Sequence, residues 1–477
     1  MRSSFLVLAV ASGCSLGNIP QSPCTTSAEC RDAFGFAMQC GSEGYCEALD
    51  VPDRCTRTYP TDLFTRPEEH ADVVVFGTLF DHESDIDNLQ SIELAFQQAN
   101  TEGGLDGLEV GLVSCDYQEL TDYDNDPSGV AADTALGWLA DDVGVQGVLG
   151  PAASQLVLDV WGTAEASGLF VISPSATSNA LVTIDGEVST DDEPGLFWRT
   201  APPDADQAAA IVADIQGRGN TNVAVISQVG AYGDGLASLL QVSMGIPGDR
   251  MFTFENSNQL TGAIADVAAV AGLQEVVFIS SEGGDVSSFL NGAAVVAAYD
   301  TVAIFLSDTA RAQSVLQGAS VAQGTFTRVR GTSPIPDPAT SDVETRFYLA
   351  YSQEYGQDAN EDGYNAFSYD AAWLSLYGAA WARSQEGGIT GLGIAKGLRH
   401  VTAGPATDIR SETWEDVQAA FANGDPIDVR GASGELQFDP SSGETSNPIA
   451  VWQVRATNDG FENVALCYPG QGCSPIP

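Results

Sequence analysis

Lysine is almost missing from these 477 residues: Lys396 is the single one. Basic charge is scarce altogether, with 18 Lys and Arg against 65 Asp and Glu and a formal net charge of −47. Such a chain repels nucleic acid and anionic membrane surfaces, so neither is an expected partner. A solvated acidic surface, of the kind suited to a salty medium, explains the imbalance without invoking any ligand. Histidine is equally sparse, at His70, His82 and His400, and none stands in a recognisable triad arrangement. H-E-x-x-H, G-x-x-x-x-G-K-[ST] and C-x-x-C are all lacking, and the G-x-S-x-G match at Gly13–Gly17 lies at the extreme N-terminus beside Cys14, outside any strand–helix pattern. The expectation is a protein that is not an enzyme and needs no cofactor or metal ion. Long apolar runs are missing too, since FLVLAVA (5–11) is too short to span a bilayer.

That short run has a meaning of its own. Arg2, the apolar stretch and then Ser12-Gly13-Cys14 read as an export signal over residues 1–13. The small residues before Cys14 resemble the lipobox of bacterial lipoproteins, although Ala11 stands where leucine is commoner. The resemblance implies lipidation at Cys14, with membrane contact through that anchor only and a place on the periplasmic side of the bacterial envelope. Ser15 fits sorting to the outer membrane, but which membrane holds the anchor stays open, and ordinary signal cleavage is the alternative. Nine cysteines minus Cys14 leave eight, an even number that suits an oxidising compartment. Residues 14–70 carry Cys24, Cys30, Cys40, Cys46 and Cys55 with few aliphatic runs, so disulfides must hold this spacer together. Its first four cysteines allow three connectivities. Zinc is disfavoured by the lack of paired ligand spacing.

What is present from residue 71 onward is a repeated alternation. ADVVVFGTLF (71–80) reads as a strand, 88–104 as an amphipathic helix, LEVGLVSCDYQE (108–119) as a strand and 129–142 as a helix. Asp122, Asp124 and Asp126 hint at a calcium loop, but Pro127 and the lack of a suitably placed glutamate favour a solvated loop. Residues 145–177, VQGVLGPAASQLVLDVWGTAEASGLFVISPSAT, form strand, turn, helix, strand, turn. A parallel βαβ unit places both hydroxyl-rich turns at the carboxyl ends of their strands, where open α/β sheets bind ligands. Ser154, Ser175 and Thr177 there suit a carboxylate, and equally suit helix N-caps. The alternation continues through FWRTAPP (197–203), AYGDGLASLLQVSMGI (231–246), EVVFISSEGG (275–284) and TVAIFLSD (301–308) to the longer helices at 345–356 and 366–384. GELQFDPSSGETSNPIAVWQVR (434–455) reads as a hairpin, and Cys467 and Cys473 as the ends of a small loop in a tail over 466–477. About 400 residues of α/β alternation exceed one compact core, so two lobes with parallel sheets flanked by helices are expected.

VISPSAT (171–177), FWRTAP (197–202), AYGDGLA (231–237), FSYDAAWLSLYGAAWARS (367–384) and GELQFDPSSGE…VWQV (434–454) resemble, in collinear order, type I periplasmic binding proteins of the leucine/isoleucine/valine-binding family. The resemblance covers about residues 71–455. It implies a two-lobed fold with three hinge crossovers, lobe one over 71–202 plus 335–430 and lobe two over 203–334 plus 431–465. It further implies an extracytoplasmic, monomeric receptor that captures an amino acid or similar small carboxylate and hands it to an ABC-transporter permease. A ligand-sensing or partner-binding module not coupled to import is the alternative. By the same resemblance Ser154 and Thr177 grip the ligand carboxylate, Ser175 and Ala176 offer backbone contacts, Tyr232 closes over the ligand and Asp308 pairs with its ammonium. The loop LFDHESD (79–85), with His82 and Glu83, and Glu282 in place of an aromatic residue depart from the family and imply a more polar side-chain pocket. Ala153 stands where the family has a cysteine, and Cys115 is left to pair with Cys55.

Overall fold

The computed structural model describes residues 22–70, 72–118, 127–186, 190–357, 363–439 and 442–476. The export signal, Cys14 and the acidic loop Asp122–Asp126 lie outside the described residues.

The chain opens with a small module: α1 (Ser27–Phe34) and a hairpin of β1 (Met38–Cys40) and β2 (Cys46–Ala48). Thr26 caps α1 by accepting from the Glu29 N–H, and the Glu29 carboxylate in turn accepts from the Thr25 N–H. Cys24–Cys40 and Cys30–Cys46 staple helix to hairpin. The clustered sulfurs of Cys24, Cys30 and Cys40 are thereby held in cystines and offer no thiolate to a metal. The module does not stand clear as a spacer. Phe36 stacks on Phe64, Phe64 meets Trp138 edge-on, and Arg31 donates to the backbone carbonyls of Asp141 and Asp142.

A six-stranded sheet follows, in the order β3-β5-β4-β6-β7-β8. Its strands are β3 (Arg57–Tyr59), β4 (Val74–Phe80), β5 (Val110–Asp116), β6 (Gly147–Leu149), β7 (Phe170–Ser173) and β8 (Phe197–Arg199). All pairings are parallel except the edge strand β3, which Cys55–Cys115 ties to β5. β5 is buried along its whole length, as a parallel strand covered by helices on both faces must be. The crossovers are α2 (Ile86–Thr101), α3 (Ser128–Trp138) and α4 (Ser154–Ser167).

Beyond Arg199 the chain enters a second sheet. It supplies α5 (Asp204–Gly217), β9 (Val223–Gln228), α6 (Ala231–Met244), β10 (Met251–Phe254), α7 (Ser257–Ala268), β11 (Glu275–Ile279), α8 (Gly283–Ala294), β12 (Ala303–Leu306), α9 (Gln313–Gly318) and β13 (Val329–Pro334). It then returns to the first lobe as α10 (Ser341–Tyr355), α11 (Asn365–Gln385), α12 (Gly391–Leu398), β14 (Ala406–Asp408), α13 (Trp414–Ala422) and β15 (Asp428–Arg430). α11 is buried on nearly all sides, which its close packing on α12 permits. A Cβ at Gly378 would sit 2.5 Å from the Ile394 carbonyl oxygen, so only glycine lets the two helices approach this closely.

The chain ends in β16 (Ile449–Val454), β17 (Phe461–Tyr468) and β18 (Gly472–Pro475), which complete an eight-stranded sheet ordered β10-β9-β11-β12-β13-β16-β17-β18. The expected hairpin over 434–455 does not form. Phe438 packs edge-on against Trp198 in the first lobe's core, while β16 pairs with β13 on one side and β17 on the other. Cys467–Cys473 closes the β17–β18 hairpin at the sheet edge, so the last residues are part of the sheet and not a free tail.

Three crossings join the lobes, at 200–203, 335–340 and 431–448, and they bond to one another. The Ile335 N–H donates to the Pro448 carbonyl at 3.3 Å, and the Asp337 N–H to the Ser433 carbonyl at 3.0 Å. Buried Asp370 of α11 accepts from the N–H groups of Ala432 and Ser433 at 2.9 and 2.7 Å and from the Ser433 hydroxyl at 2.5 Å. Burial nevertheless pushes its carboxyl up to about 7.

Candidate ligand-binding site

The two sheets present the carboxyl ends of their parallel strands to a common region between the lobes, the place where α/β sheets take ligands. On the first lobe, β6 ends at Gly150. Its φ is +93°, and a Cβ there would stand 2.4 Å from the Leu79 carbonyl oxygen. Ser154 begins α4, but its hydroxyl does not cap the helix: it accepts from the Ser178 N–H at 3.1 Å. The turn after β7 is organised around Ser173, whose Oγ donates to the Pro151 carbonyl at 2.6 Å and accepts from the Ala176 N–H at 3.1 Å. The Ser175 hydroxyl donates to the Ala152 carbonyl at 3.0 Å. Ser175 and Ala176 thus direct these polar groups back into the lobe, while Thr177 and Ser154 sit buried behind the turn.

Underneath lies Arg199, the last residue of β8 and 1% exposed. Its Nη1 donates to the carbonyls of Ala176 and Ser178 at 3.1 and 3.0 Å, and its Nε to Glu444 at 2.6 Å. A buried guanidinium with a fixed fork holds a turn in one shape better than a flexible ammonium could. Burial raises the Glu444 carboxyl, against the pull of Arg199.

On the second lobe, Tyr232 at the start of α6 and Asp308 after β12 come together, the tyrosine hydroxyl donating to the aspartate. Tyr364, just ahead of α11, donates to the other oxygen of Asp308 from the first lobe. Burial first, and the Asp308 charge second, push both phenols well above their ordinary range, so they remain donors. Further contacts join the lobes beside this cluster. The Ser178 hydroxyl donates to the Ala231 carbonyl at 2.7 Å, and the Ala231 N–H to Gln155 at 3.2 Å.

Asp204 completes the cluster. It opens α5 directly after Pro202-Pro203, and its N–H donates to the Thr177 carbonyl at 2.8 Å. The residue is 0% exposed, and neither carboxylate oxygen has a donor in good hydrogen-bond geometry, although the Thr177 hydroxyl bears on it. Its position was indistinguishable in sequence from an ordinary acid in a helix first turn. Tyr364 carried no signal either, lying before the periodic part of its helix.

Glu282 stands apart from this cluster, solvent-accessible at the start of α8. Its carboxyl is pushed up by partial burial and then by the charges of Asp285 and Asp81, the last from the opposite lobe. His82 faces inward: its Nε2 lies 2.9 Å from the Ser114 hydroxyl and its Nδ1 4.0 Å from Asp116. Serine, histidine and aspartate lie near one another here, but the Asp116 contact is too long for a hydrogen bond and Ser114 is buried, so they do not form a triad.

Residues 80–460 match the model of the family described as periplasmic binding protein. This chain belongs to that family. Its fold is the type I periplasmic binding fold, shared with a branched-chain amino acid transporter substrate-binding protein from Streptococcus pneumoniae in complex with isoleucine. That structure is 17% identical, with a TM-score of 0.62, over 85% of this chain and 99% of the other. A type 1 periplasmic binding protein from Bordetella pertussis gives a TM-score of 0.64 at 17% identity, over 85% of this chain and all of that one. A curated relative from Halobacterium salinarum, the chemotactic signal transduction system substrate-binding protein BasB, is 27% identical over 390 residues, 80% of this chain and 85% of the relative. These relatives are substrate-binding proteins, and membership of the family implies an extracytoplasmic location. Among the described residues no helix is long and apolar enough to cross a membrane.

Proposed function

We propose that this periplasmic binding protein is a receptor, without catalytic activity, that captures an amino acid or a similar small polar carboxylate between its lobes by hinge closure. The observation that carries the reading is the meeting of opposite chemistries at one place. The hydroxyls of Ser154 and Thr177 on one lobe, held in place by the turn through Ser175 and Ala176, suit an anion. Asp308, steadied by Tyr232 and Tyr364, and the adjacent Asp204 suit an ammonium. Charge-assisted hydrogen bonds of about 1.5–3 kcal/mol each provide affinity once closure excludes water. Glu282 and Asp81 at the rim favour a polar ligand side chain over a purely aliphatic one.

Delivery to an ABC-transporter permease fits the isoleucine-bound neighbour, and anchoring through a lipid on Cys14 fits the N-terminal pattern. A second reading, capture for sensing, is favoured by the chemotactic relative. A screen of amino acids and small carboxylates by thermal shift tests the shared core of both. Ligand at 100 times its dissociation constant stabilises by about 2.7 kcal/mol. Ser154→Ala and Thr177→Val are each expected to abolish or greatly reduce that shift. Full affinity in both variants, or no stabilising ligand in the set, would overturn the reading.

A further inference from the structure

We propose that the cleft exchanges a proton for its ligand: the Asp204 carboxyl is neutral in the empty protein and ionises when a ligand ammonium settles beside it and Asp308. The inference rests on the receptor reading above and adds to it the requirement for an amine-bearing ligand.

Its ground is a mismatch of partners. Asp204 is fully enclosed, and neither of its oxygens has a donor in good hydrogen-bond geometry, the Thr177 hydroxyl being the one donor that bears on it. An ionised carboxylate so placed is costly, and the usual response is to hold a proton. The groups facing it do not relieve the cost. Asp308 bears down on it with like charge from the second lobe, and Tyr232 and Tyr364 both direct their hydroxyls to Asp308. Thr177 and Arg199 favour the charged form, but the Nε and Nη1 of Arg199 are taken by Glu444 and the carbonyls of Ala176 and Ser178, and its Nη2 makes no hydrogen bond to Asp204. On its own helix Asp206 answers to Glu444 and Arg199 and not to Asp204, and the Gln207 amide bonds Thr332. Burial and then Asp308 outweigh the opposing influences and raise the Asp204 carboxyl to about 7. An arriving ammonium supplies the missing counter-charge and donors together, and the proton leaves to solvent.

Two consequences are measurable. The first needs no ligand. A carboxyl raised from 3.8 to about 7 holds a proton in the folded state that the unfolded chain has lost. Stability therefore falls as pH rises across that window and levels above about pH 7. At fixed salt between pH 5 and 8.5, the unfolding midpoint of the wild type should fall relative to Asp204→Asn up to about pH 7 and then run parallel to it. Curves parallel throughout would overturn the proposal. Should Asp204→Asn fail to fold, Asp308→Asn keeps the carboxyl and removes its like-charged neighbour, and the levelling-off should move to lower pH; an unmoved profile would overturn it.

The second consequence is proton release. Calorimetry with L-glutamine as probe, at pH 6 in two buffers of different ionisation heat, should report close to one proton released, with affinity rising about tenfold per pH unit well below pH 7. Benzoate, a carboxylate without an amine, should release none. Glutamine binding with no proton release would sink the exchange and leave the receptor reading intact. Failure of every amino acid to bind would remove the receptor reading, and the ligand-free titration still decides the state of Asp204.

Discussion

The first-lobe face of the cleft and the second-lobe face are built on different terms. Around the Ser173–Ser178 turn, the polar groups mostly find partners inside the lobe: Ser173 with Pro151 and Ala176, Ser175 with Ala152, Ser154 with Ser178, and Arg199 with two carbonyls. Across from it, Asp308 draws its donors from two tyrosines, one of them on the other lobe, and Asp204 has none in good hydrogen-bond geometry. One face is shaped before a ligand arrives; the other carries unmet electrostatic demand. A binding protein that closes on its ligand uses both, since a preformed face lowers the ordering cost and an unsatisfied one rewards closure.

The strongest way to break this comparison is Arg199→Met. If the first-lobe face depends on the guanidinium, the substitution leaves Glu444 buried without its cation and frees two carbonyls, at a cost of about 3–5 kcal/mol. Chemical denaturation at fixed salt should show the lower midpoint, and ligand affinity should fall although every acid on the second lobe is intact. Unchanged stability would mean that the turn holds its shape without Arg199.

Next in size is the tether at the β3 edge of the same lobe's sheet. Cys55–Cys115 closes a separation of 60 residues, and removing it as the double serine variant should cost about 2–4 kcal/mol by releasing the unfolded chain. Because the bond joins the N-terminal segment to β5, the loss should fall on unfolding of the first lobe and leave the second unaffected. Differential scanning calorimetry that showed both lobes destabilised equally would argue that they unfold as one unit.

The same contrast explains what sequence could and could not tell. Apolar runs broken by Gly, Pro and hydroxyl residues mark β6, α4 and β7 directly, because short-range periodicity fixes strand and helix. The turn at 174–177 was legible for that reason. Arg199 sat in plain view within FWR, but its role depends on carbonyls 21 and 23 residues away, which no local pattern encodes. Asp204, Asp308 and Tyr364 are separated by 104 and 56 residues, and only the three crossings bring them together. His82 turned inward because Ser114 on the neighbouring strand offered it a partner. The hairpin expected at 434–455 failed because Phe438 had a place in the first lobe's core and β16 had one in the second lobe's sheet.

The smallest effect concerns His70, which joins the segment ahead of β4 to the rest of the first lobe. Its ring is 8% exposed, with Nδ1 at 2.5 Å from Glu109 and Nε2 at 3.1 Å from Asp62. Burial alone would lower its pKa, but the hydrogen bond and charge of Glu109, followed by those of Asp62, outweigh it and raise the value above 6.5. The imidazolium then donates through both nitrogens. A folded value raised above the unfolded one means stability fully present below about pH 6.5 and lost as pH climbs through the raised value. His70→Gln should flatten the profile in that range alone. The partners are partly exposed, so added salt should shrink the effect. The Asp204 influence ends at about pH 7, and the His70 contribution begins to fall away above about pH 6.5. A decline above pH 6.5 that His70→Gln removes and Asp204→Asn leaves untouched would separate the preformed lobe from the electrostatically unmet one; a decline that both variants removed would show the two groups to be coupled through the cleft.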